Sequence, residues 1–300
     1  MQKDWRKPLH RMEIKMKKAG IFDILRSSFV DGPGIRTTVF FKGCPLRCVW
    51  CHNPEGLSST TELLFYKSRC TGCGKCKEKC PSQFKKCDLC GKCALYCPHD
   101  AREICGREYS VEEIAYEILK DRAIYENSGG GVTLSGGECL MQADFCRELL
   151  ERVKAEGIHT AVDTCGFVPQ SALDKVIPYT DVFLYDLKAF DEDVHIKCTG
   201  QSNRIILDNL EYLDRNGKNI EIRIPYVPDY NDDQIEKIAR YLSAFSHVTR
   251  IRVLPYHSYA ASKYEALNME NTLPKRLPTE EEIKNAVELL KTVTGFNVAG

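Results

Sequence analysis

Eleven of the chain's 16 cysteines fall in three tight clusters, and the clusters are not spaced alike. Cys44, Cys48 and Cys51 form C-x3-C-x2-C and offer three thiolates. Cys70, Cys73, Cys76 and Cys80 form C-x2-C-x2-C-x3-C followed by Pro81, and Cys87, Cys90, Cys93 and Cys97 repeat that pattern before Pro98. Four-thiolate runs of this spacing are the ligand pattern of bacterial 4Fe-4S ferredoxins. Zinc sites usually draw on two C-x2-C pairs set well apart, so iron–sulfur is the better fit. Two-cluster ferredoxins cross-ligate, which groups Cys70, Cys73 and Cys76 with Cys97, and Cys87, Cys90 and Cys93 with Cys80. Only six residues separate Cys80 from Cys87, a short span for that crossing. Three thiolates leave one iron of a four-iron cluster open to something that is not protein. A four-thiolate run carries electrons, whereas a three-thiolate set can put them to use.

The bulk composition narrows the setting. Lys plus Arg and Asp plus Glu balance at 42 each, so no global field draws the 300-residue chain to nucleic acid or to a membrane. The basic N-terminus lacks an apolar signal region, and no run reaches the roughly 18 apolar residues of a membrane span. The cysteines therefore read as reduced metal ligands in a cytoplasmic, anaerobic setting. Residues 1–19 read as a solvated basic tail, with Met12 or Met16 as alternative starts.

Positioning these thiolates requires a scaffold, and the rest of the chain alternates strand and helix patterns. Strands are expected at 37–41, 132–134, 160–163, 182–187, 220–224 and 249–254. Helices follow at 110–125, 146–153, 171–177, 203–216, 232–243 and 279–293, the first opened by a Ser110–Glu113 capping box. About six βα units imply a parallel α/β sheet, either a partial (β/α) barrel or a doubly wound sheet. Residues 53–107 break the rhythm, lack a long apolar run, and read as an insert held by metal.

The polar motifs gather at the C-terminal ends of the expected strands, where parallel α/β folds build their sites. Cys44–Cys51 follows the first strand and Gly136-Gly137-Glu138 the second. Asp163-Thr164 ends the third, Asp186-Leu187-Lys188 the fourth, Arg223 lies near the end of the fifth, and Tyr256-His257 follows the sixth. Each has a plainer reading. Gly136-Gly137 suits an ordinary turn, Asp163 and Asp186 suit helix caps, and Lys188 suits a solvated charge. Together with the Thr164 hydroxyl, the two aspartates could also hold a hard cation. Trp50 is either packing for the cluster or a flat surface for a base. Cys105, Cys139, Cys146, Cys165 and Cys198 read as buried small apolar groups, with Cys165 singled out for following Asp163-Thr164.

The motif set resembles the radical S-adenosylmethionine (SAM) superfamily, and within it the glycyl-radical-enzyme activating enzymes. The residues that carry the likeness are Asp31-Gly32-Pro33-Gly34-Ile35-Arg36, Phe40-Phe41-x-Gly43-Cys44 and Cys51-His52-Asn53. Ser128 to Thr133 with Ser135-Gly136-Gly137-Glu138, Asp163-Thr164, Asp186-Leu187-Lys188 and Leu254-Pro255-Tyr256-His257 complete it. Cys139 departs from the proline or alanine that often follows the glutamate.

The resemblance implies a partial (β/α)6 radical SAM barrel at 20–52 and 108–300, with a small inserted ferredoxin-like two-cluster domain at 53–107. It implies three 4Fe-4S clusters, one SAM-binding and two auxiliary, together with SAM and a monovalent cation. Cys44, Cys48 and Cys51 would hold the SAM cluster. Gly136, Gly137 and Glu138 would meet the methionine part, and Trp50 and His257 the adenine. Asp163, Thr164, Asp186, Leu187, Lys188 and Arg223 would complete the cofactor and cation site. The implied activity is reductive SAM cleavage, the 5′-deoxyadenosyl radical then taking hydrogen from a backbone glycine of a partner glycyl-radical enzyme. Pyruvate formate-lyase, glycerol or diol dehydratase, choline lyase, hydroxyproline dehydratase and arylacetate decarboxylase partners all fit. A flavodoxin- or ferredoxin-type donor would supply the electron to a chain that is monomeric alone. The rival readings are a radical SAM enzyme acting on a small molecule or peptide, and a ferredoxin-type electron-transfer protein.

Overall fold

The computed structural model describes residues 17–300. The expected basic tail, with Met12 and Met16, lies almost wholly outside the described residues. Its boundary needs a small correction, because Lys18 and Ala19 already belong to a strand.

Among the described residues there are eleven strands, in chain order β1 (Lys18–Ser28), β2 (Arg36–Phe41), β3 (Glu62–Phe65), β4 (Arg102–Cys105), β5 (Arg107–Ser110) and β6 (Gly131–Gly136), then β7 (His159–Thr164), β8 (Val182–Asp186), β9 (Ile220–Tyr226), β10 (Val248–Pro255) and β11 (Val298–Ala299). The helices are α1 (Lys75–Lys79), α2 (Lys92–Leu95), α3 (Val111–Leu119), α4 (Arg122–Ser128), α5 (Ala143–Lys154) and α6 (Gln170–Val176), then α7 (Glu192–Thr199), α8 (Arg204–Arg215), α9 (Ile235–Leu242), α10 (Ala261–Ala266) and α11 (Glu280–Thr294).

Nine strands form one sheet in the order β11-β10-β9-β8-β7-β6-β2-β1-β5. From β2 through β6 to β10 every neighbouring pair is parallel, and strands successive in this series lie side by side. A doubly wound sheet reverses its strand order at a switch point, and this one does not. The winding is therefore that of a barrel, left open because β11 and β5 do not pair. The six parallel strands are those expected from the sequence. They read clearly because both faces are covered, as in β2, where Val39 and Phe41 are fully buried.

Five strands were not expected: β3 and β4 in the insert, and three in the main sheet. β1 runs antiparallel to β2, β5 runs antiparallel to β1, and β11 adds a short parallel edge to β10. The expected helix at 110–125 is also broken. Its capping box forms as read, but the segment splits into α3 and α4 at Lys120–Asp121. Asp121 is buried there and accepts from Arg26 Nε (2.8 Å) and Thr37 Oγ1 (2.8 Å), tying the break to β1 and β2.

The stretch between β2 and β5 stands apart. β3 and β4 form a separate antiparallel pair, and the eight clustered cysteines lie between them. α1 buries no residue and α2 buries only Cys93, so this lobe has no apolar core of its own. Its foot rests on the body through Leu64 and Cys105 against Ala266, with Phe22 and Leu267 alongside.

Candidate active site

The loop after β2 carries Cys44, Cys48 and Cys51, and its backbone is hung on neighbours. The N–H groups of Arg47 and Val49 donate to Thr199 O (2.8 Å) and Cys198 O (3.0 Å), carbonyls freed by the end of α7. Gly43 N–H donates to Gly56 O (2.8 Å) on the far side of the loop. Trp50 is only 5% exposed, buried with Cys198, Val227 and Tyr256 and set edge-on to Tyr230. Of its two sequence readings, this geometry is the packing one.

The three thiols fit an iron–sulfur cluster on electrostatic grounds. Burial and mutual repulsion push Cys48 up to about 11 and Cys51 up to about 12. Three thiolates can persist there only if positive charge compensates them, which cluster iron supplies outright. Cys44 is held below the usual thiol value by a hydrogen bond from the Cys165 thiol. Lys188 adds a permanent cation, since its ammonium stays charged despite burial because Asp186 and Cys48 face it. Among the described residues no three His, Cys, Asp or Glu side chains converge tightly enough for a single ion.

The turn after β6 locks this loop in place. Gly136 adopts φ 114°, and a side chain on Gly137 would sit 2.3 Å from Gly43 O and 2.5 Å from Gly56 O. Such closeness lets Gly137 N–H donate to Phe41 O (2.8 Å) and Glu138 N–H to Gly43 O (2.7 Å). The Glu138 side chain turns inward. Its carboxylate is fully buried and accepts from Thr164 Oγ1 (2.9 Å), Cys165 N–H (2.8 Å) and Leu140 N–H (3.0 Å). Burial raises its pKa, and these donors oppose the rise. Glu138 and Thr164 therefore fasten β6 to β7, leaving the glycine backbone as the part of this motif nearest the cluster loop. Leu187 is likewise interior, its N–H donating to Arg223 O at 2.9 Å.

A band of charges crosses the strand ends. Asp163 accepts from Ser135 Oγ (2.6 Å) and lies 3.3 Å from an Arg223 Nη1 that remains charged. Burial raises Asp163 to about 6, against the pull of Arg223. Arg223 also approaches Asp31 Oδ1 (3.8 Å) and donates to Val30 O (3.2 Å), so the loop between β1 and β2 reaches the site. Lys188 donates to Asp186 at 2.6 Å. Of the oxygens expected to share a monovalent cation, Asp163 Oδ2 meets Ser135 and Arg223, Thr164 Oγ1 donates to Glu138, and Asp186 Oδ2 accepts from Lys188.

His257 stacks on His52 with ring centres 4.0 Å apart and 17° between planes, and on Tyr259 at 4.3 Å. His52 Nε2 donates to His257 O (3.1 Å), while His257 Nδ1 is buried with no partner. Burial, then His257, holds His52 down to about 4, so the pair stays neutral near pH 7. An orphaned ring nitrogen beside the cluster loop suits a polar ligand atom. Sequence reading noted His52 only within a motif. Its position beside Cys51 was the available signal.

In the lobe, the eight thiols divide between two cavities. Cys70, Cys73, Cys76 and Cys97 line one of about 190 Å³. Cys80, Cys87, Cys90 and Cys93 line one of about 280 Å³. Each draws three cysteines from one run and one from the other, the grouping expected for cross-ligated clusters.

Comparison with known proteins agrees with this geometry. Residues 38–242 match the model of the radical SAM superfamily. The chain is 43% identical over 296 residues to the trans-4-hydroxy-L-proline dehydratase activating enzyme of Clostridioides difficile, covering 92% of this chain and 97% of that one. It is 40% identical over 274 residues to the choline trimethylamine-lyase activating enzyme of Oleidesulfovibrio alaskensis, covering 85% and 88%. The crystal structure of Streptococcus suis SuiB bound to S-adenosylmethionine superimposes with TM-score 0.56 at 14% identity, over 85% of this chain and 47% of that one. That likeness speaks to the fold alone.

Proposed function

This chain belongs to the radical SAM superfamily and, within it, to the glycyl-radical-enzyme activating enzymes, and from that premise we propose how its residues divide the work. Its activity is reductive cleavage of SAM, which supplies a 5′-deoxyadenosyl radical to take a hydrogen atom from a backbone glycine of a partner glycyl-radical enzyme.

Cys44, Cys48 and Cys51 hold the 4Fe-4S cluster and leave one position for SAM. The backbone at Gly136 and Gly137 lies against the cluster loop and borders the methionine part of SAM. His257 offers Nδ1 to the nucleoside, with His52 fixing the plane of its ring. Trp50 packs behind the loop and bounds the adenine side from within the protein. Lys188 offsets the charge of the thiolates and is oriented by Asp186. Glu138 and Thr164 set the spacing between β6 and β7, while Arg223 ties Asp163 to the loop at Asp31. The observation that carries this reading is the three-thiol loop clamped between α7 and the Gly137 turn at the C-terminal edge of a parallel sheet.

The lobe at 53–107, set in a barrel formed by 20–52 and 108–300, holds two further 4Fe-4S clusters. Cys70, Cys73, Cys76 and Cys97 ligate one, and Cys80, Cys87, Cys90 and Cys93 the other. What supports this is the division of the thiols between two cavities. A flavodoxin- or ferredoxin-type donor feeds electrons to a chain that works in the cytoplasm and is monomeric by itself. The two relatives described above are named for different glycyl-radical enzymes, so a panel of such enzymes, each incubated anaerobically with the reduced chain and SAM, tests the assignment. Formation of 5′-deoxyadenosine without a radical on any candidate would favour a small-molecule or peptide substrate instead.

A further inference from the structure

The cysteine-rich lobe carries a local excess of positive charge in a chain that is balanced only as a whole. Residues 66–100 carry eight Lys or Arg against three Asp or Glu, whereas the whole chain has 42 of each class. All eight basic residues are exposed. Within the described residues only Lys67 and Lys79 among them stand near an acid, at 3.8 Å from Glu265 and 3.1 Å from Glu78.

The basic residues are arranged around an apolar step. Lys75 and Lys79 lie four apart on α1, and Lys92, Leu95 and Tyr96 follow helical spacing along and just after α2. Lys79 reaches over the Tyr96 ring at 5.5 Å and so joins the two short helices into one face. Leu95 is 78% exposed and Tyr96 49%, high values for large apolar residues. They sit between Cys93 and Cys97, which line different cavities, so this step borders both thiol sets.

An apolar centre inside a charged rim is the anatomy of a transient protein interface. A basic face alone would attract any polyanion. The exposed thiol ligands Cys73 and Cys90 in the same lobe point specifically to a redox partner. We propose that the face built by Lys75, Lys79, Lys92, Leu95 and Tyr96 docks an acidic one-electron carrier protein. The carrier is oxidised by one electron and a cluster of the lobe is reduced by one, with no bond made or broken. This rests on the activase reading only for what the electron is later used to do.

The test mixes the iron-loaded full chain with a reduced flavodoxin of net negative charge, without SAM, and follows bleaching of the iron–sulfur absorbance by stopped flow. The second-order rate should fall at least tenfold between about 50 and about 500 mM salt, because screening shortens the range of steering. Lys75→Glu/Lys79→Glu/Lys92→Glu should lower it at least tenfold at low salt, and Leu95→Ser should weaken flavodoxin binding without a charge change. Reduction by dithionite, a small anion that needs no docking face, should change far less than the flavodoxin rate in the same series. A flavodoxin rate indifferent to salt and to charge reversal overturns the proposal, as does an equal fall with dithionite. If the triple variant loses iron, the salt dependence of the unaltered chain and Leu95→Ser decide. SAM cleavage with dithionite is measured on the same samples, and its absence would sink the activase reading while leaving the docking result intact.

Discussion

Replacing Gly137 by alanine probes the contact that holds the cluster loop. The added Cβ would stand 2.3 Å from Gly43 O and 2.5 Å from Gly56 O, both backbone atoms. An ordinary carbon–oxygen contact is about 3.3 Å, so both carbonyls must retreat by about 1 Å. They are engaged, Gly43 O by Glu138 N–H (2.7 Å) and Gly56 O by Gly43 N–H (2.8 Å). Weakening two such bonds costs about 1 kcal/mol each, and overpacking adds about 1–3 kcal/mol, for a total of about 3–5 kcal/mol. That is less than the whole stability of a typical domain, about 5–15 kcal/mol, so the chain should fold with its cluster loop displaced. A displacement of about 1 Å at reacting groups can cost about a hundredfold in rate. Gly137→Ala should therefore retain the roughly eight irons of the lobe, lose those of the barrel, and cut 5′-deoxyadenosine formation at least about a hundredfold. Gly157→Ala is the control: its φ of +76° disfavours a side chain, but nothing lies within 4 Å. A Gly137→Ala chain with about twelve irons and near-normal SAM cleavage would refute the bracing role.

Further predictions concern the ligands and their neighbours. Cys48→Ala should remove about four of about twelve irons and abolish SAM cleavage, with the lobe's absorbance retained; loss of all iron would contradict separate sites. Cys70→Ala combined with Cys97→Ala should cost about four irons, because both serve one cluster, whereas Cys70→Ala with Cys80→Ala should cost about eight. The reverse pattern, read by iron assay and electron paramagnetic resonance, would show that each run closes its own cluster. Lys188→Met leaves the half-buried Asp186 without its partner and should destabilise the loaded chain by about 1–3 kcal/mol in thermal unfolding, with Asp186→Asn restoring part of the loss. An unchanged midpoint for Lys188→Met would place its ammonium in solvent.

The parallel strands were legible because burial on two faces writes a continuous apolar run, as in Val182–Asp186. β1 was not, since Asp23, Arg26 and the two serines interrupt its alternation and its partners come from distant residues. α7 hid for a similar reason: Glu192–Thr199 has no clear apolar stripe, yet its last carbonyls support the cluster loop. At the site, the grouping of the thiols was legible in their spacing, since spacing is a local property of the chain. The partners of Glu138 and the stacking of His52 on His257 depend on loops brought together by the sheet, the latter pair 205 residues apart. For the same reason the contacts of Asp163 Oδ2 with Ser135 and Arg223, and of Asp186 Oδ2 with Lys188, could not be read from the sequence.

The central claim is that the open position at Cys44, Cys48 and Cys51 serves to place a radical on another protein. The most direct measurement is anaerobic electron paramagnetic resonance of the iron-loaded chain with SAM, a low-potential reductant and each of a panel of glycyl-radical enzymes. The account predicts a glycyl doublet on at least one partner, formed together with 5′-deoxyadenosine and absent with Cys44→Ala. A doublet that persists with Cys44→Ala, or SAM cleavage that never yields a protein radical on any partner, would contradict it.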